Sequence, residues 1–484
     1  VAELLAGVGR RSIAPPLGIK TAGFYSREGV VTGLDGDLVA TVLALRSGPE
    51  TLLIAAVDLC MAPQWVVAEW RTWMAAAAGT RVECVLVNFS HTHSAPAMTM
   101  TQPEFAFQSD LLERYRGMVA ERLVQATIDA VGSLEPARIA AGQGESRIGV
   151  QRREVGADGY VFLGEVPDGP IDAAVGVLRV DRLDGSPIAI AASYGCHTVV
   201  VGPRAQVASP DFPGPMREVV EGALRGVALF LQGGGGDIMP CWGMGHELDN
   251  TDANRRIGAM LGGVVVSVAA SLRTHVTRGE RVSIPSLLGP GQTMRPLVPV
   301  EGSESGGLGA RARTVMLDLV PLPSADRAAE IHAERSRDLD AALASGSERA
   351  IQIARHFLAW ADRLVAAVET GERTVPMEVQ VLRIGDIAIT AIAAEVFSST
   401  TRSIREASPF ERTIALGYSN GVLCYLPTAD AYPATGWDVG DRYRIPDQVF
   451  QSYLLPVAID PGSEERIRAE VDSLLGELAL ERSS

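Results

Sequence analysis

Short apolar runs alternate with longer amphipathic stretches through most of this chain, and that rhythm constrains the fold more than any other feature. Consecutive apolar positions suit a strand buried on both faces, whereas apolar residues three or four apart suit a helix with one buried side. Val39–Leu45 and Leu52–Val57 are runs of the first kind, and the turn Arg46-Ser47-Gly48-Pro49-Glu50 between them predicts a hairpin. A helix is expected after Pro63, with Trp70 and Trp73 on one face and Trp65 at its edge. A strand at Cys84–Phe89 then precedes an amphipathic helix from about Asp110 to Ala130. A second hairpin turns at Asp184-Gly185, between Val175–Val180 and Pro187–Tyr194. Asp211-Phe212-Pro213 has the form of a helix start, Val227–Leu231 is a strand running into four glycines, and Asp252–Leu272 is helical.

Residues 280–322 are irregular and strand-rich, after which Ser324–Gly371 has helical spacing broken at Ser345-Gly346-Ser347. That pattern predicts an antiparallel helix pair. Val379–Arg383 and Ile387–Ala393 flank Gly385-Asp386 as a third hairpin, followed by a helix from about Phe397, a strand at Arg412–Gly417 and a last helix at Gly462–Arg482. No repeat, low-complexity tract or linker divides the chain. The expected fold is α/β: a mixed sheet core with flanking helices and a helical-hairpin insertion at about 324–371, in one catalytic domain spanning 1–484.

Composition excludes several function classes. Lys and Arg total 43 against 58 Asp and Glu, a net charge of −15 with no compensating basic block, so a phosphate-tracking nucleic-acid partner is not expected. The longest uncharged apolar stretch, Ile257–Leu272, has 16 residues, short of the roughly 20 that span a bilayer. Five cysteines (Cys60, Cys84, Cys196, Cys241, Cys424) at wide, irregular spacing make neither a disulfide framework nor a CxxC knuckle. Val1-Ala2-Glu3-Leu4 lacks the features of a signal peptide, so a cytoplasmic location is expected, with a leader removed before Val1 left open.

The chemistry-bearing residues share one placement, just past the end of an apolar strand. His91 and His93 follow Val85–Phe89, His197 follows Ile188–Tyr194, and Asp237 follows Val227–Leu231 and the glycines. Glu395 follows Ile387–Ala393, and Tyr425 comes after Arg412–Gly417. Loops at the carboxyl ends of strands are where sites assemble in α/β folds. Two imidazoles and a carboxylate, His91, His197 and Glu395, suit zinc (Zn²⁺), which accepts nitrogen and oxygen ligands. The plainer readings are that a histidine there caps a backbone carbonyl and that Glu395 caps the helix at Phe397. If the backbone of His91-Thr92-His93 is extended, both imidazoles face one side, one for a metal and one for substrate. His246, His275, His332 and His356 are weaker candidates. The run Gln232-Gly233-Gly234-Gly235-Gly236-Asp237 lacks a Gly-Lys-Ser/Thr and opens no GxGxxG helix, so it is weak as a nucleotide motif. Close packing round a metal pocket, or a backbone contact to an oxyanion, remains open.

His91-Thr92-His93-Ser94-Ala95-Pro96 resembles the His-x-His-Ser-Gly-Pro motif of the neutral (alkaline, non-lysosomal) ceramidases, with Ala95 for glycine. Further elements occur in matching order. They are Gly7-Val8-Gly9-Arg10 through Pro15-Pro16-Leu17-Gly18, Cys196-His197, Gly236-Asp237-Ile238-Met239-Pro240 against Gly-Asp-x-Ser-Pro, Ala394-Glu395-Val396-Phe397 against Gly-Glu-Phe, and Gly421 to Tyr432 against a Tyr-rich Gly-Tyr-x-x-Thr segment. The resemblance implies zinc held by His91, His197, Glu395 and Tyr425. It places His93 beside the scissile amide, maps an Asn-Arg arginine onto Arg152, and makes Tyr432 the downstream tyrosine. Gly236, Asp237 and Met239 would lie near the substrate or behind the ligands.

Two departures separate the chain from a true ceramidase. Met239 stands where the family has a serine assigned as nucleophile, and the family's immunoglobulin-like C-terminal domain is not expected within residues 1–484. The resulting expectation is a zinc-dependent hydrolase that cleaves an amide, ester or lactone in a small molecule bearing an acyl group. Loops at 95–108, 240–250 and 285–312, with Phe105, Phe107 and Trp242, would shape its pocket, and a homo-oligomer is allowed. Two alternatives stand beside it: a non-catalytic zinc- or ligand-binding relative, and a hydrolase with Ser94 or Cys196 as nucleophile.

Overall fold

The computed structural model describes residues 3–24, 27–96, 98, 109–157, 160–242, 250–285, 289, 291–300, 307–432, 435–436 and 449–481. Its first half contains β1 (Leu4–Ser12), β2 (Val39–Ser47), β3 (Glu50–Val57), α1 (Gln64–Ala78), β4 (Val85–Phe89), α2 (Ser109–Gly132), β5 (Glu135–Glu145), β6 (Gly149–Val155), β7 (Tyr160–Val166), β8 (Ala174–Arg182), β9 (Pro187–Tyr194), α3 (Pro213–Leu224), β10 (Val227–Gln232), β11 (Ile238–Pro240) and α4 (Thr251–Ser271). The second half adds β12 (Leu308–Asp318), α5 (Ala325–Ser345), α6 (Glu348–Thr370), β13 (Thr374–Ile384), β14 (Ile387–Ile392), α7 (Ser398–Ala407), β15 (Arg412–Leu416) and α8 (Ser463–Leu480).

Eight strands form one sheet in the order β10-β9-β8-β5-β1-β2-β3-β4, and four form a second in the order β12-β13-β14-β15. The two sheets pack face to face. Leu43, Leu45, Leu52 and Ile54 of the first meet Leu382, Ile387, Ile389 and Leu416 of the second in a single apolar cluster. The alternate residues of β2–β4, among them Val42, Leu53 and Val87, bury against α1 and α2, while Val177, Ile190 and Phe230 bury against α3 and α4. On the outer face of the second sheet, Val379, Val381 and Ala388 pack under Ile467, Val471 and Leu474 of α8. The architecture is therefore helix, sheet, sheet, helix, and its strands are continuous apolar runs because both faces are covered.

Most pairings are antiparallel, but β3 with β4, β9 with β10, and β14 with β15 are parallel. Parallel neighbours cannot be joined by a tight turn, so the chain leaves each such strand into a longer connection. The strand-end loops of the site arise there.

The helix pair forms where its spacing predicts. Ser324 accepts from the Arg327 amide at 3.2 Å, Ser347 accepts from the Ala350 amide at 3.2 Å, and Gly346 closes α5 in the left-handed conformation at φ 67°. Two local expectations change. In α1 Trp70 is buried, but Trp65 and Trp73 are about half exposed, so the three do not share one buried face. The strands β5, β6 and β7 lie in a stretch that is not conspicuously apolar, since glycines and charged residues interrupt their apolar positions. No helix among the described residues is long and apolar enough to cross a membrane.

Candidate metal centre

His91 leaves the end of β4 in a left-handed conformation, φ 62°, with its amide bonded to the Leu59 carbonyl at 3.0 Å. A non-glycine residue seldom holds that conformation unless its surroundings enforce it. The backbone of His91-Thr92-His93 is thus bent rather than extended, yet the two imidazoles still lie together, Nε2 to Nε2 at 3.1 Å. Thr92 Oγ1 donates to the Ser209 carbonyl at 2.7 Å and accepts from the Ser94 amide at 3.2 Å, which fixes the bend.

His91 and His197 are oriented in the same way. His91 Nδ1 lies 2.8 Å from the Cys60 carbonyl, and His197 Nδ1 lies 2.6 Å from the Gly235 carbonyl. A carbonyl can only accept, so each Nδ1 carries the proton and each Nε2 is left with a lone pair. Those two Nε2 atoms face Glu395 Oε2 at 3.5 and 3.1 Å. Glu395 comes from the short segment Glu395–Val396, which pairs in parallel with Tyr425–Leu426 and sets Glu395 opposite Tyr425. Tyr425 Oη is 3.4 Å from His197 Nε2 and accepts from Arg152 Nη2 at 2.8 Å. Arg152 is anchored in turn on the Gly236 carbonyl, at 3.1 Å from Nε and 2.7 Å from Nη2.

The protonation states follow from burial and neighbouring charge. Burial, reinforced by the Arg152 charge, pushes His197 down to about 3, and burial likewise lowers His91. Burial alone would raise Glu395, but His91, His197 and Arg152 hold it down at about 2. At neutral pH the pocket therefore presents two neutral imidazoles and an ionised carboxylate.

Lone pairs of His91, His197 and Glu395 thus point at one another with no proton between them, an arrangement that a cation resolves. A tetrahedron with zinc–ligand bonds of about 2.0–2.1 Å has edges of about 3.4 Å, close to the donor separations of 3.1, 3.4 and 3.5 Å found here. The carbonyl partners of both imidazoles match the outer bonds that metal-binding histidines make. The residues fit a zinc ion.

No protein-family model matches the chain, and no curated protein matches it. Solved structures do match. A ceramidase complexed with C2 superposes at a TM-score of 0.67 with 16% identity, over 99% of this chain and 76% of that one. The neutral ceramidase from Pseudomonas aeruginosa gives a TM-score of 0.65 with 17% identity, over 99% and 75%. The fold is that of the neutral ceramidases. At such identity the likeness carries the fold, and the chemistry has to be read from the side chains.

Within this ceramidase fold the glycine run is a packing device. A Cβ on Gly234 would lie 2.4 Å from Thr401 Oγ1, one on Gly235 2.9 Å from the Cys196 amide, and one on Gly236 2.8 Å from the Glu395 carbonyl. The run lets the ends of β9 and β10 approach Glu395 and α7, and its carbonyls hold His197 and Arg152. Asp237 caps α7, accepting from the Ser398 amide at 2.7 Å and from Ser398 Oγ and Gln151 Nε2 at 3.0 Å each. The cap expected of Glu395 is therefore supplied by Asp237, and the Glu395 carboxylate faces the histidines. Met239 is buried on β11, where its backbone pairs with Val150.

His93 lies beside His91, with Nδ1 unpartnered among the described residues. Its ring meets the edge of Phe24 at 5.0 Å, and Arg27 Nη1 donates to its carbonyl at 2.5 Å. Tyr432, at the end of the turn Ala429–Ala431, packs its ring against Phe450 at 6.1 Å and is not among the groups gathered round Glu395. Two tyrosines missed in the sequence are. Tyr418 Oη donates to Glu395 Oε2 at 3.2 Å, and Tyr453 Oη donates to Glu395 Oε1. Tyr418 was accessible to the same reasoning, since it lies two residues beyond β15, closer than Tyr425. Phe105, Phe107, His246 and most of the loops 95–108 and 240–250 lie outside the described residues. Trp242 is about half exposed.

Proposed function

We propose that this protein is a zinc-dependent hydrolase that cleaves an amide, ester or lactone bond in a small molecule bearing an acyl group. The observation that carries the reading is the convergence of His91 Nε2, His197 Nε2, Glu395 Oε2 and Tyr425 Oη, with both imidazoles held in the ligating tautomer. These four residues would hold the ion. When bound, zinc lowers the pKa of water from about 15.7 to about 7 and polarises a carbonyl, which makes a nucleophile available at neutral pH.

The chain's own residues supply the rest. His93 keeps its ring neutral, because burial and the nearby His91, His197 and Arg152 push it well below the usual histidine range. A neutral imidazole with a nitrogen unpartnered among the described residues can take a proton from the attacking water and pass it on to the leaving group. Arg152 remains cationic in a buried position, fixed by Gly236 and Tyr425, and so offers a charge to stabilise a developing oxyanion. Removal of one such donor typically costs about 100- to 1,000-fold in rate. Asp237 acts at a distance by fixing the start of α7, directly after Glu395.

A protein nucleophile is disfavoured. Burial raises the Cys196 thiol well above its usual range, and its sulfur lies on the His197 carbonyl rather than the imidazole. Ser94 Oγ faces Arg27 at 3.4 Å. Met239 carries no hydroxyl, which agrees with attack by water, but the same residue also favours a ligand-binding protein that has lost its chemistry. The two readings separate on a panel of esters, lactones and acyl amides offered to zinc-loaded protein. Zinc-dependent turnover of any member supports the hydrolase, whereas stoichiometric zinc with no turnover across the panel favours the binding protein.

A further inference from the structure

We propose that α6 is a positioning element for the metal centre, acting through Tyr453 to fix which oxygen of Glu395 faces the histidines. This rests on the zinc site described above.

Residues spaced by four on a helix share one face, and α6 carries Glu348, Gln352, His356 and Trp360 along such a stripe. The last two are buried and grip backbone carbonyls. His356 Nε2 lies 3.1 Å from the Gln451 carbonyl, and Trp360 Nε1 donates to the Leu455 carbonyl at 2.9 Å. These carbonyls flank Tyr453 on either side, so the turn that carries it is clamped at both ends by one helix face. The clamped turn also contains Leu454 in a left-handed conformation at φ 56°. Such a turn holds its shape only where surrounding contacts fix it.

Tyr453 then reaches the centre twice. Its hydroxyl donates to Glu395 Oε1, and its ring meets the Tyr425 ring edge-on at 5.8 Å. With Oε1 engaged, Oε2 is the oxygen presented to His91 and His197. The other end of the stripe meets the opposite wall. Glu348 pairs with Lys20 at 2.9 Å, and Gln352 lines a small cleft with Phe24 and Arg27, both of which touch His93. One helix face therefore touches both the segment that holds Glu395 and the segment that covers His93.

The test uses the full-length chain and measures zinc affinity by competition with a chromophoric chelator, with thermal unfolding of the metal-free protein alongside. Removal of an outer partner of a metal ligand typically weakens metal binding by about 10- to 100-fold. Tyr453→Phe is expected to show such a loss while the metal-free protein unfolds at an unchanged temperature. His356→Leu should weaken zinc in the same direction, and His356→Gln, which keeps an N–H donor, should restore it. Equal zinc affinity in wild type and Tyr453→Phe would overturn the positioning role and leave the zinc site standing. A wild type that takes up no zinc would overturn both.

Discussion

The strand ends and the helix pair both carry histidines, and the contrast between them shows what distinguishes a site from a buried polar contact. His91 and His356 are equally inaccessible, at 1% and 0% exposure. Yet His356 turns Nε2 to the Gln451 carbonyl, and His332 on the same helix pair turns Nε2 to Asp362 at 2.8 Å. Each of these has an oxygen of its own. His91 and His197 spend Nδ1 on a carbonyl and leave Nε2 facing a carboxylate oxygen that has no proton to give. Burial alone does not separate the two regions. The convergence of several lone pairs on one point does.

The largest effect should follow from removing a member of that convergence. Glu395→Gln removes the carboxylate charge, and zinc content and hydrolysis are expected to fall to background together. That loss exceeds the roughly 1,000-fold typical of one transition-state donor, and elemental analysis paired with a rate assay would read it. His93→Ala should instead retain zinc while kcat drops about 100- to 1,000-fold, since the proposed ligand set is His91, His197, Glu395 and Tyr425, with His93 beside it. Joint loss of zinc and turnover in His93→Ala would erase that distinction.

His356 supplies a smaller, pH-dependent effect. Burial lowers it to about 4 from an ordinary 6.5, so the folded protein keeps it neutral where the unfolded chain protonates it. Its contribution is present above pH 6.5 and is lost as pH falls through 4, on the order of 3 kcal/mol over the window. Denaturant unfolding between pH 7 and about 4.5 should show a steeper loss for wild type than for His356→Gln. Parallel curves would mean that the ring titrates normally. The smallest effect is expected from His332→Ala, whose hydrogen bond with Asp362 lies at the solvent-exposed surface; stability should move by less than about 0.5 kcal/mol and zinc not at all.

Much of this was legible from one rule. Apolar runs gave the hairpins β2–β3, β8–β9 and β13–β14, and the positions beyond strands gave His91, His93, His197 and Glu395. The rule works because parallel strands must end in long connections, and three of the parallel pairs lead into the site. Other features depend on contacts that local pattern does not encode. Glu395 and Asp237 each looked able to cap α7, and only the packing that the glycine run permits assigns the cap to Asp237. Tyr453 follows no strand and belongs to no motif; the grip of α6 on the neighbouring carbonyls brings it to Glu395. The bend at His91 is likewise imposed from outside, by Leu59 and Ser209.

The most direct test of the central claim is zinc per chain, measured by elemental mass spectrometry on tag-free protein after dialysis, with His197→Ala prepared in parallel. Wild-type protein should carry close to one zinc per chain, and the variant only background zinc. Zinc absent from wild type even after reconstitution, or retained undiminished in His197→Ala, would contradict it.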